Sequence, residues 1–122
     1  MAEDIIVGAV AVFFLGMGVL GLVAPAALVR PFGIELRAPE AVSEIRAVYG
    51  GFGVAMAALL GAAVFDVGGI RTGAVVAVAA ALAGMALGRV VSRLAGTRTG
   101  GCPNWFYCGV EVVAAALLIM TI

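Results

Sequence analysis

The stretch IIVGAVAVFFLGMGVLGLVA, residues 5–24, contains no charged residue and no proline. An α-helix rises about 1.5 Å per residue, and crossing the hydrocarbon of a bilayer takes about 20 mostly apolar residues. This segment has that length and that composition, so it predicts a membrane-spanning helix. The residues before it, Met1-Ala2-Glu3-Asp4, are acidic. The leading region of a secretory signal is basic, so the segment reads as a span of the folded protein.

Working outward, the pattern repeats. Pro25 and the Arg30-Pro31 pair break the first helix, and residues 25–39 mix Pro25, Pro31 and Pro39 with Leu28, Val29, Phe32 and Ile34. Such a mix suits an interfacial connection. A second span is expected over about 43–65, with its N-cap region between Glu40 and Ser43. Asp66-Val67-Gly68-Gly69 predicts a tight turn, followed by a third span over about 71–94. Residues 95–103 form a loop, and a fourth span covers about 104–122. The expected fold class is all-α: an integral membrane four-helix transmembrane bundle, one domain over 1–122 with no separate soluble unit.

Composition agrees. Hydrophobic residues make up 65% of the 122 and charged residues 11%, against about 25% charged in soluble domains. Seven basic residues, all arginine, balance seven acids. No basic patch points to nucleic acid. With no histidine, a metal site would rest on two cysteines and scattered carboxylates, a poor ligand set, so no metal or cofactor is expected. Arginine as the sole basic residue, with abundant Ala, Val and Gly, suggests a bacterial inner membrane. Arg30, Arg37 and Arg98 lie in the two long loops and Arg93 beside them, while the opposite side has Arg71. The positive-inside rule places the loops in the cytoplasm and both termini outside.

Five ionisable residues fall within or at the ends of the spans: Glu44, Arg46, Arg89, Arg93 and Glu111. A charge at the centre of a bilayer costs roughly 2.5–3.5 kcal/mol by insertion scales, so each needs a partner, water or a ligand. Alternating helix directions bring all five to the long-loop side. Glu111 lies roughly 10 Å in from Asn104 and Arg89 roughly 8 Å in from Leu94, so an Arg89–Glu111 pair is expected. Arg89, Ser92 and Arg93 share one helix face, as do Arg46, Tyr49, Gly50 and Gly53. Glu44 lies about 200° from Arg46 and is expected to turn toward Arg89 or Arg93. Arg46 is expected to reach Glu111 or a loop carbonyl. Such a network either fixes helix register or lines a polar cavity, and both readings stand.

Small residues punctuate the spans: Gly16, Gly18 and Gly21 in the first, Gly50, Gly51, Gly53 and Gly61 in the second, Gly84 and Gly88 in the third. They permit close helix approach, within the bundle or in a homo-oligomer. Gly50 and Gly51, beside Glu44 and Arg46, leave room for a neighbouring helix or a ligand. Cys102 and Cys108 have neither redox nor metal-pair spacing. They stay reduced if their loop is cytoplasmic, and a disulfide becomes available if the topology is inverted. Trp105, Phe106 and Tyr107 read as an interfacial anchor.

The run Ser43-Glu44-Ile45-Arg46-Ala47-Val48-Tyr49-Gly50-Gly51, with Gly88-Arg89, Ser92 and Glu111, resembles a bacterial four-helix membrane family catalogued as a domain of unknown function. The resemblance covers essentially the whole chain. It implies a small four-helix bundle and supplies no activity.

Three functions are weighed. The leading one is binding or transport of a small anionic or amphipathic, lipid-like molecule. Arg46 and Arg89 would hold the anion, Tyr49 would donate a hydrogen bond, and Glu44 or Glu111 would balance charge or carry a proton. Ser92, Gly50, Gly51, Gly84 and Gly88 would complete or shape the site. The alternative is an accessory subunit of a larger membrane complex whose charge network is purely structural. A lipid-modifying enzyme is weakest, because no nucleophile–base pair is present and a carboxylate paired to arginine is a poor base.

Overall fold

A computed structural model describes residues 1–122 as helices and short connections, without strands. Helix α1 spans Ala2–Val23. Pro25 stops it, because proline biases the preceding residue away from helical geometry. Ala24 accordingly sits at φ −138°, ψ 67°. A short α2, Pro25–Val29, folds back beside α1 and runs into a tight turn over Arg30–Phe32, which ends at Gly33 with φ +74°.

Helix α3 occupies Pro39–Val64. It begins before the expected Glu40–Ser43 region because Pro39 takes the first helical position, where its missing N–H is no loss. Glu40 follows in the first turn, favourable against the helix dipole. Over Arg46–Gly51 the helix widens into one π-type turn, the local insertion that often marks functional positions.

Asp66, Gly68 and Gly69 all take positive φ in the turn after α3. The Asp66 carboxylate accepts the Arg71 backbone N–H at 3.0 Å, which starts α4, Arg71–Leu94. Gly96, at φ +99°, ends that helix. Its N–H donates to Arg93 O at 3.1 Å and the Thr97 N–H to Ser92 O at 3.0 Å, a glycine-terminated C-cap. Residues Gly101–Trp105 form a second wide turn containing the cis Cys102–Pro103 bond. Helix α5, Phe106–Ile119, closes the chain.

Four stretches are long and apolar enough to cross a membrane: α1, α3, α4 and Gly101–Ile119, in which the second wide turn extends α5. They form a four-helix bundle in which α1 packs on α3 and α4 on α5 most extensively, α3 meets α4, and α1 touches α5 only lightly. Val12, Leu15 and Val19 of α1, Leu87 and Val91 of α4, and Val112 and Val113 of α5 face outward, as a lipid-facing surface requires.

The two halves of the bundle are built differently. Toward the termini, Val7, Val10, Phe14, Leu60, Val75, Val78, Leu82 and Leu118 form a continuous core. Toward the long loops, α1 and α3 cross backbone to backbone. A Cβ added to Gly53 would lie 2.8 Å from Gly18 Cα, and one added to Gly21 would lie 2.8 Å from Gly50 N. Helices in lipid associate through such close van der Waals approach, since hydrocarbon offers no hydrophobic drive between them. On the terminal side, Arg71 Nη1 donates to Asp4 Oδ1 at 2.8 Å and ties α1 to the start of α4.

Candidate functional site: a buried ion pair beside an apolar cleft

The up-and-down course of α4 and α5 brings Arg89 and Glu111 to one level. Arg89 Nε donates to Glu111 Oε1 at 2.8 Å and Nη2 to Oε2 at 3.0 Å. This two-pronged, charge-assisted arrangement is among the strong ones for arginine and carboxylate. The remaining edge is used as well, with Nη1 donating to Asn104 Oδ1 at 3.0 Å. The Glu111 side chain is 7% exposed and that of Arg89 22%. Every deeply buried side-chain polar atom of the protein has a partner. The Phe32 ring lies over the guanidinium, 5.7 Å from Cζ to the centroid, and 5.7 Å from the Tyr107 ring. Cys108 is buried, with Sγ 4.0 Å from Ala86 O, whereas Cys102 is exposed; both are free thiols.

The other ionisable residues of the long-loop side stay apart from this pair. Arg46 Nε donates to Leu22 O at 3.1 Å, so it takes a carbonyl in the last turn of α1 and does not reach Glu111. Its two terminal nitrogens have no protein partner. Glu44 and Arg93 are exposed and make no ion pair, so Glu44 turns to neither Arg89 nor Arg93. Ser92 is half-buried beside Arg89, and its backbone carbonyl serves the α4 C-cap.

Tyr49 lies at the rim of a cleft of about 540 Å³ between α1, α3 and α4. Phe14, Met17, Phe52, Ala81 and Met85 line it, and its lining is wholly hydrophobic. Ala47 and Val48, from the same wide turn as Arg46, line it too, whereas Arg46 does not. A second apolar groove of about 720 Å³ follows the α1–α5 seam. The expected glycines divide. Gly50 packs hard against Leu22, a Cβ added to Gly51 would meet only Arg46 O at an ordinary 3.7 Å, and Gly84 and Gly88 face open space on the outside of α4.

A family model for a domain of unknown function, DUF4345, matches residues 2–122. The chain belongs to the DUF4345 family. No curated protein sequence and no solved structure matches it.

For this DUF4345 chain, two contributors to the ion-pair centre escaped the sequence reading. Asn104 had a signal: it lies seven residues before Glu111, two helical turns away and on the same face. Phe32 had none, since four apolar residues share its loop and nothing local says which one folds over an arginine.

Proposed function

We propose that this membrane protein binds, and in its cellular setting moves, a small amphiphile with an anionic head and a single apolar tail. The tail would occupy the cleft between α1, α3 and α4, whose volume lies within the ordinary ligand-pocket range of about 300–1,000 Å³. Arg46, at the level of the α1 terminus, would meet the head group. The observation that carries this reading is the wide turn at Arg46–Gly51: its Ala47, Val48 and Tyr49 line the apolar cleft, and the residue before them, Arg46, is a cation whose terminal nitrogens have no protein partner. Arg89 is the weaker anchor, because Glu111 already neutralises it and Asn104 takes its remaining edge. The setting is a bacterial inner membrane with the long loops cytoplasmic and both termini outside.

The test compares oleate with a zwitterionic lysolipid of the same chain length on the purified protein, by thermal shift. Oleate should stabilise more strongly, Arg46→Gln should erase the difference, and Ala81→Phe should abolish both responses by filling the cleft. Equal stabilisation by the two probes, or an unaltered response in Ala81→Phe, would overturn the reading.

A second reading is an accessory subunit of a larger complex or a homo-oligomer. Two observations favour it: the Arg89–Glu111–Asn104 centre offers no spare group, and Gly84 and Gly88 leave close-approach space on the outer face of α4. Under it, Gly88→Leu changes the assembly state without altering the oleate response.

A further inference from the structure

The turn over Arg30–Phe32 is anchored on one side only. Val29, immediately before it, is 2% exposed and fixed in the bundle. After it, Gly33 takes φ +74°, and Ile34 to Arg37 neither donate nor accept a backbone hydrogen bond. Regular structure resumes only at Pro39. At its two ends the Arg30 N–H donates to Ala26 O and the Gly33 N–H to Arg30 O at 2.9 Å, so these backbone bonds keep the turn's local shape without tying it to α4 or α5. The Phe32 ring, set on Arg89 and beside Tyr107 with 39% of Phe32 exposed, holds the turn over α4 and α5, and the turn also lies against the Gly101–Trp105 turn. Segments with few buried contacts and few backbone bonds open at low free energy. A ring on a cation, a ring–ring contact and a short approach to the Gly101–Trp105 turn form such a closure.

We infer that the Arg30–Gly33 turn is a hinged cap that opens over the Arg89–Glu111–Asn104 centre and admits water and small aqueous solutes from the long-loop side. Closed, it shields an ion pair whose carboxylate is nearly inaccessible. Open, it exposes the guanidinium and the carboxylate to exchange with solutes. The cap lies over α4 and α5, whereas the cleft proposed for amphiphiles is lined by α1, α3 and α4. The inference therefore does not rest on that reading, and failure of the oleate test leaves it standing.

The protein carries its own reporter. Cys108 lies one turn before Glu111 on α5 and is 8% exposed, while Cys102, outside the bundle, can be replaced by serine. The experiment measures Cys108 modification in membrane-embedded Cys102→Ser protein, by mass, using an anionic sulfonatoethyl and a cationic trimethylammonioethyl methanethiosulfonate. Modification should be slow in this parent and about tenfold faster after Phe32→Ala, the scale set by losing one cation–π contact. Phe32→Tyr, which keeps the ring, should retain the parent rate. Arg71→Ala, which loosens the opposite end of the bundle, should leave it unchanged. Equal rates for the parent and Phe32→Ala overturn the cap, and so does an equal acceleration by Arg71→Ala, which would mean general loosening.

Discussion

Glu111→Gln isolates what the buried ion pair does for the fold. The substitution keeps the shape of the side chain and one acceptor oxygen, but it removes the negative charge and one of the two bonds to Arg89. Breaking a buried pair from one side typically costs about 3–5 kcal/mol, because the surviving charge is stranded. Arg89 is 22% exposed and still has Asn104, so it can lean toward the loop side and recover some hydration. The expected loss is therefore at the low end, about 3 kcal/mol. Glu111→Ala, which also leaves a cavity and no acceptor, should exceed it. The paired replacement Arg89→Met with Glu111→Leu should cost less than either single change, since no buried charge remains. Reversible unfolding in mixed micelles, run as a double-mutant cycle, measures all four species. A Glu111→Gln loss below about 1 kcal/mol, or a double variant as destabilised as the sum of the singles, would refute the assignment of a strong desolvated pair.

The glycines give a second contrast. Gly53→Ala places a Cβ within 3.0 Å of Gly18 and Phe14 backbone atoms, so it should lower stability and separate α1 from α3, whereas Gly84→Ala and Gly88→Ala enter open space and should raise stability by about 0.5–1 kcal/mol each through helix propensity; unfolding midpoints decide between them. Asp66→Ala removes the acceptor of the Arg71 N–H and should cost about 1 kcal/mol, with amide exchange rising first in the opening turn of α4. Deleting Val48 takes the extra residue out of the wide turn and should rotate the Pro39–Arg46 segment by about 100°, which removes Arg46 from Leu22 O; the oleate preference should vanish while the unfolding midpoint stays close to the parent value.

Four spans and the level of Arg89 against Glu111 were legible because both follow from rise per residue and alternating direction, which hydrocarbon enforces. The expectation that Glu44 turns toward Arg89 or Arg93, and Arg46 toward Glu111 or a loop carbonyl, rests on an unbroken period of 3.6 residues. The wide turn at Arg46–Gly51 begins at Arg46 itself, so angular positions carried across it do not hold. Arg46 ends on the α1 side, bonded to Leu22, and Glu44 ends in the open. Gly84 and Gly88 look like a close-packing pair by spacing, yet spacing does not say which face of α4 turns inward. Ala74, Val75, Val78, Ala79, Leu82 and Ala86 define that inner face, and the glycines lie off it.

The cleft follows from the same choices that let α1 and α3 touch. Gly18, Gly21, Gly50 and Gly53 bring the two backbones together, so no large side chain lies between them to spread toward α4. On α4, the residues facing that region are Ala81 and Met85, one small and one flexible. A leucine or phenylalanine at position 81 would close the space, and the bundle would lose little, because its continuous core lies in the other half. The opening is thus bordered by a rigid glycine crossing, a wide turn that carries Arg46, and a short side chain on α4. The buried pair on α4 and α5 balances its own charge. That leaves two side chains of the wide turn with donors still to satisfy, the Tyr49 hydroxyl on the cleft lining and the Arg46 guanidinium at the start of the turn, which is the physical ground for expecting an anion there.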